Sequence, residues 1–197
     1  MSTIKTPTIL AAAVSLITIL GCSGLGVGPV EMTAADRALP FTAQELAQTH
    51  GTPSDPAFES FTMERELDGS YSLEYQFNHS DSEPILVLSN LLAREQDAGD
   101  ALITYGIYET VMAVTFASED IERKPRPELC SLGDRCTCNG IVTEVGEVGT
   151  QCVIADGRSV AMVQVIGAVW TEPGEIDTAL GPMLDRLRVW EPTQTPK

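Results

Sequence analysis

The stretch FTMERELDGSYSLEYQF, residues 61–77, decides the fold. Tyr71, Leu73, Tyr75 and Phe77 alternate with Ser72, Glu74 and Gln76. In an extended chain successive side chains point to opposite faces, so one face of this strand is apolar and the other polar. Phe61, Met63 and Leu67 repeat the pattern upstream with Arg65 interrupting it, and Asp68-Gly69 between the two runs is a hairpin-type turn. A hairpin dry on one face and wet on the other predicts an antiparallel sheet.

Working outward, residues 84–92 (PILVLSNLL) are apolar without clear periodicity, and their β-branched start and flanking proline favour a buried strand over a helix. Asp97 can cap a helix over about 98–118, in which Ala101, Tyr105, Tyr108, Met112 and Phe116 recur at steps of three and four, with Ile107, Val111 and Val114 widening the stripe. Residues 122–128 (ERKPRPE) read as a polar loop. Strands are expected over 138–145, 150–154 and 159–170, the last two joined by a tight turn at Asp156-Gly157. Ile176, Leu180, Leu184 and Leu187 mark a closing helix capped near Thr171 with Pro173 in its first turn, and Trp190 can pack on its end. Upstream, Thr42 with Glu45 forms a capping box, Phe41 can staple to Leu46, and Gly51 ends that short helix. The order implies an α+β domain: an antiparallel sheet with helices packed mainly on one face and a disulfide-containing loop. In pattern alone, from Phe61 to Trp190, it loosely resembles the PsbP-like extrinsic and lipoprotein domains.

The first residues carry a different signal. One basic residue, Lys5, precedes the uncharged run ILAAAVSLITIL at 9–20, and Gly21 and Cys22 follow at once. A short basic start, an apolar core and a small residue before the cut describe an export signal. Ile19-Leu20-Gly21-Cys22 resembles the lipobox of bacterial lipoproteins, although Leu20 is bulkier than the usual Ala or Ser. The resemblance implies a diacylglycerol on the Cys22 thiol, cleavage before it and often an acyl chain, commonly palmitate, on the new amine. Residues 1–21 are then a signal peptide, 22–40 a lipidated cysteine with a flexible tether, 41–191 a single domain, and 192–197 a tail. The address implied is the cell envelope: the outer membrane, facing the periplasm or the cell surface, if the organism has two membranes. Two or more acyl chains give stable attachment. The glycine-rich tether, if extended, reaches roughly 60 Å.

The formal net charge is −16. Such a surface repels phosphate backbones and anionic lipid, which argues against nucleic acid. It serves solubility, or less often a site for cations or a basic partner. Besides Cys22 there are Cys130, Cys136, Cys138 and Cys152, an even number that reads as two disulfides in an exported domain. Three connectivities are open, with Cys130–Cys136 and Cys138–Cys152 favoured. A structural zinc is the rival, but the spacing lacks paired CxxC knuckles. His50 sits at a helix end and His79 in a polar loop, and neither lies in a catalytic pattern. Asp81 with Glu83, or Asp97 with Asp100, lack the ordered spacing of a calcium loop. No GxSxG, HExxH or P-loop is present, so no catalytic residue, cofactor or metal ligand is assigned. The expectation is a non-enzymatic domain that binds or scaffolds a protein partner, with the sheet's open face or the Cys-rich loop as the contact surface. The alternatives are a periplasmic small-molecule carrier with a pocket between sheet and long helix, or an enzyme of unrecognised type that works with carboxylates.

Overall fold

The computed structural model describes residues 28–79, 85–117 and 121–192, with the side chains of 114–117 excepted. Cys22 and the signal segment, Asp81 and Glu83, and the tail from 193 lie outside the described residues. Eight strands form one antiparallel sheet in the order β1-β2-β3-β4-β8-β7-β6-β5. They are β1 (Gly28–Pro29), β2 (Phe58–Arg65), β3 (Tyr71–Asn78), β4 (Val87–Arg94), β5 (Glu122–Pro125), β6 (Arg135–Thr143), β7 (Gly146–Asp156) and β8 (Ser159–Ile166). The helices are α1 (Ala34–Arg37), α2 (Ala43–His50), α3 (Ala98–Ala117) and α4 (Glu175–Arg188), with a 3-10 turn at Pro127–Leu129. No helix among the described residues is long and apolar enough to cross a membrane.

The fold class is α+β, as the hairpin pattern implies. Three of the four helices, α1, α2 and α4, share one face of the sheet. There Met63, Leu73, Tyr75, Phe77, Leu88, Leu92 and Val163 form the larger core with Phe41, Leu46, Trp170, Leu180 and Leu187. The longest helix, α3, covers the opposite face. Ala101, Tyr105, Tyr108 and Met112 pack there with Val87, Ala93, Ile141, Val153, Val160, Met162 and Ile166. Strands β4, β7 and β8 are sandwiched between the helix layers, which is why β8 is buried along its whole length and reads as a continuous apolar run. Strand β3, beyond the reach of α3, keeps strict alternation.

Both turns expected of Asp-Gly pairs form. Asp156 pairs directly with Ser159, leaving the two-residue loop Gly157-Arg158 with Gly157 at φ +57°. The α2 cap is also as read: Thr42 Oγ1 accepts from the Glu45 amide, and the Glu45 carboxylate accepts from the Thr42 amide at 2.8 Å.

Four readings are corrected. The tether does not extend to Pro40, because β1 pairs with β2 and α1 closes a capping box of Thr33 with Asp36. Buried Asp36 also accepts from Trp190 Nε1 at 2.8 Å, tying this segment to the end of α4. Folded chain therefore begins by Gly28. Residues 122–125 are not loop but an edge strand, where a terminal proline and outward charges are tolerated because one side of the ladder is unpaired. The closing helix starts at Glu175 behind Gly174 (φ +86°), not near Thr171; the Glu175 carboxylate instead accepts from the amides of Thr171 and Glu172. Ile107, expected to widen the buried stripe of α3, is exposed together with Leu102 and Ile103.

Candidate binding face beside the long helix

Helix α3 packs chiefly on β4, β5, β7 and β8 and leaves the same face of β2 and β3 open. The alternation of those strands fixes what the open half presents: exposed Thr62, with Glu64, Ser72, Glu74 and Gln76 half-buried. Glu66 continues β2 on this side and accepts weakly from Ser72 Oγ at 3.5 Å. Glu95, just past the end of β4, is 8 % exposed and accepts from Thr104 Oγ1 of α3 at 2.7 Å. Tyr108 lies one helical turn after Thr104, so it shares that side of α3. It is 7 % exposed. Gln76 Nε2 donates to Glu74 at 2.6 Å.

The electrostatics of this half-face are one-sided. Glu64, Glu66, Asp68, Glu74, Glu95 and Asp100 form no ion pair among the described residues, whose ion pairs all lie elsewhere. Burial, then repulsion from Glu64 and Asp68, holds Glu66 above the usual carboxylate range. Burial raises Glu74 despite its bond from Gln76, and burial raises Glu95 despite its bond from Thr104, with Asp68, Asp100 and Glu66 adding to Glu95. Burial pushes Tyr108 up as well, and Glu95, Glu66 and Glu74 are the carboxylates that act on it. Asp68 goes the other way, since the Ser70 hydroxyl and amide donate to it at 2.6 and 2.8 Å.

Beneath α3 the same face carries a second polar feature. Ser60, Gln76, Ser89, Gln164, Gln151 and Asn139 occupy one register row across β2, β3, β4, β8, β7 and β6. Gln151 has no exposed surface and Gln164 is 2 % exposed. Both amide atoms of Gln151 and the Oε1 of Gln164 have no hydrogen-bond partner among the described residues. Each such atom costs about 1–3 kcal/mol when buried without a bond.

The cysteines sit on the opposite face. Cys138 and Cys152 are directly paired across β6 and β7, with Cα atoms 4.3 Å apart, and Cys130 closes onto Cys136 at 5.9 Å. These distances suit disulfides in the favoured connectivity. The sulfurs of Cys130, Cys136 and Cys138 lie within 4.8 Å of one another, so the rival thiolate cluster would be drawn from the same residues. The sequence brought these four together correctly but not with either histidine. The His50 ring meets Trp170 edge-on at 5.5 Å. His79 Nδ1 donates to the Asp55 carbonyl at 2.8 Å. Neither faces the acidic half-face or the amide row. Asp97 caps α3 through the Gly99 and Asp100 amides, a structural task.

Sequence reasoning expected contact on the sheet's open face or the Cys-rich loop but did not single out this carboxylate cluster. Its only signal was the run of acidic residues at the polar positions of β2 and β3, which spacing alone cannot separate from a solvated surface. In comparisons with protein-family models, curated proteins and solved structures, nothing matches this chain.

Proposed function

We propose that the chain is a cell-envelope lipoprotein, anchored through Cys22, whose folded domain binds a macromolecular partner without turnover, and that the partner docks a basic segment on the open half-face beside α3. One observation carries this: six carboxylates gather there without a counter-cation, three of them held above their ordinary range by burial and mutual repulsion. A lysine or arginine side chain would relieve that repulsion and offer the Tyr108 hydroxyl an approach to a bound partner. An acid–base enzyme also carries raised carboxylates. Here, however, Glu74 and Glu95 each have one oxygen engaged by a neighbouring side chain, and among the described residues neither histidine bonds to them.

The anchor would add effective concentration. Five residues, Ser23 to Val27, separate Cys22 from folded β1. Fully extended they span about 17 Å, which would hold the domain close to the bilayer rather than far above it. Gly28 enters beside Arg65, at the end of the sheet that also carries Glu66 and Asp68. Anionic lipid would repel that end, which favours a protein over the membrane surface as its basic partner.

The test is site-specific photocrosslinking in the intact envelope, from Gln76 on the open half-face and from Asp185 on the far side. A protein adduct from Gln76 alone, lost when Glu64, Glu66 and Glu74 are changed together to Gln, is the expected result. Adducts from both positions alike, or reproducible turnover in a broad hydrolase and transferase panel that Glu74→Gln abolishes, would replace this reading.

A further inference from the structure

We infer that the uncovered side of α3 pairs with α3 of a second copy of this chain, parallel and in register, about a twofold axis running along the helices. The sheet covers only one side of α3. On the other side Gly99, Ile103, Gly106, Thr110 and Ala113 are all exposed and recur at steps of four and three. That is the spacing of a seam between two helices. None of the five is charged, and the one hydroxyl, on Thr110, already donates to the Gly106 carbonyl at 2.8 Å. Leu102 and Ile107 border the seam and are exposed too. Gly106 supplies an independent sign. Glycine weakens a helix interior, yet a side chain at this position would meet nothing within 4 Å, so the fold itself does not require it. The close approach of a second helix does.

Charge selects the occupant and its direction. Glu64 and Glu74 stand on the β2–β3 flank of α3. On the β5–β6 flank, Arg123 pairs across the ladder with Ile141, which packs beneath α3, and Arg135 lies two residues before Thr137, which bonds Tyr105. Neither arginine makes an ion pair among the described residues. A twofold axis along the helices sets the acidic flank of each copy across from the basic flank of the other, as a self-complementary patch requires. An antiparallel pair sets acid across from acid, and about Gly106 it would lay Glu109 of one copy on Ile103 of the other. A lipid surface fits this side poorly, because the carboxylates of the half-face would meet it as well. The position of the N-terminal segment agrees with the parallel pair. Gly28, Arg65, Tyr71 and Arg94 stand in register at one end of the sheet, and α3 begins just beyond Arg94. Parallel helices therefore put both copies' entry points at the same end, where one bilayer can hold both. One helix seam is small beside the about 1,200–2,000 Å² of a stable interface, so confinement to the bilayer supplies the concentration. For that concentration the inference rests on the anchor at Cys22. It does not need the basic partner, since two helix layers hold the sheets apart and leave both half-faces open.

The test is cysteine crosslinking of the full chain in the intact envelope, read as a reducible dimer above the level of the chain with no added cysteine. In a parallel seam in register each position meets itself. Ile103→Cys and Ala113→Cys should each form the dimer under mild oxidation, and Val145→Cys, as exposed but on the β6–β7 turn, should not. Gly106→Gln in the Ile103→Cys background should cut the yield about tenfold, because its side chain holds two helices apart while meeting nothing in its own fold. The thermal midpoint of Gly106→Gln should not fall, which separates a lost contact from a lost fold. The inference is overturned if Val145→Cys crosslinks as well as Ile103→Cys, if the yield survives Gly106→Gln, or if co-expressed Ile103→Cys and Glu109→Cys chains outpace Ile103→Cys alone. It is also overturned by no dimer at all, and an Ile103→Cys thiol then shielded from a water-soluble maleimide would make the bilayer the occupant. Intact mass reports Cys22 separately: a dimer without lipid removes the anchor and keeps the pair, and lipid without a dimer does the reverse.

Discussion

Asp36 shows how much one residue can hold. It closes the α1 capping box through Thr33 and accepts the indole N–H of Trp190 from the other end of the chain. Asp36→Ala removes both and leaves a buried indole donor unpaired, so it should lower stability by about 2–3 kcal/mol in a urea titration. Glu95 pulls the other way. Its carboxyl is raised above the ordinary 4.5 by burial, so the folded state holds the proton more tightly than the unfolded one. Stability from this group is then present in acid and lost as pH rises from about 4.5 upward through the raised value. Glu95→Gln keeps an acceptor for Thr104 and removes the charge. It should match the unmodified chain in acidic buffer and exceed it increasingly toward neutral pH. An advantage that instead grew on acidification would mean the carboxylate is stabilised by the fold. The same shifts apply to docking: a cation on the half-face should release protons from Glu66, Glu74 and Glu95, and binding should tighten as pH rises through their range.

Among the elements, the β6–β7 hairpin is the most heavily secured. It carries the Cys138–Cys152 pair directly across the ladder, and Cys130–Cys136 ties the 3-10 turn to the start of β6. The separations of 14 and 6 residues put the larger entropic effect on the first pair. Replacing Cys138 and Cys152 together by Ala should lower stability by about 3 kcal/mol, and the shorter loop should matter less. Thiol alkylation with mass mapping should find all four oxidised in protein isolated without reductant. Four free thiols with bound zinc would assign the cluster to a metal instead. Helix α3 follows different rules: of its 20 residues only Asp100 and Glu109 are charged, and its outer side still shows Ile103 at 63 % exposure. An all-round apolar helix reads as amphipathic only after the sheet has chosen one of its sides.

For the whole molecule, the short approach from Cys22 to β1 matters more than the length of the N-terminal segment suggested. Cys22→Ser should block lipid modification and maturation, read as loss of partitioning into detergent and a change in intact mass. A mature N-terminus elsewhere than Cys22 would contradict the anchor. Because the folded chain begins by Gly28, inserting a long Gly/Ser segment after Val27 should leave the domain's thermal midpoint unchanged. The same insertion should reduce capture of a membrane-proximal partner, since effective concentration falls as the tether lengthens.

The sheet, its antiparallel hairpins, the α2 cap and the four-cysteine cluster were all legible along the chain. Each depends on interactions between near neighbours: period-two alternation at 71–77, the turn at Asp156-Gly157, and the spacing of Thr42 from Glu45. What could not be read depends on strands far apart in sequence. Asp36 meeting Trp190, residues 122–125 joining an edge, and α3 taking the opposite face from α1, α2 and α4 all follow from which surfaces remain to be covered once the sheet exists. The buried amide row and the candidate face belong to the same class. Gln151 and Gln164 look like ordinary polar positions in β7 and β8 until register places them side by side beneath a helix some forty residues upstream. Glu66, Glu74 and Glu95 look like solvated charge until α3 stops short of β3 and leaves them crowded at its margin. Local pattern chooses the element and its wet face, but burial and charge at a point in space are set by everything packed around it.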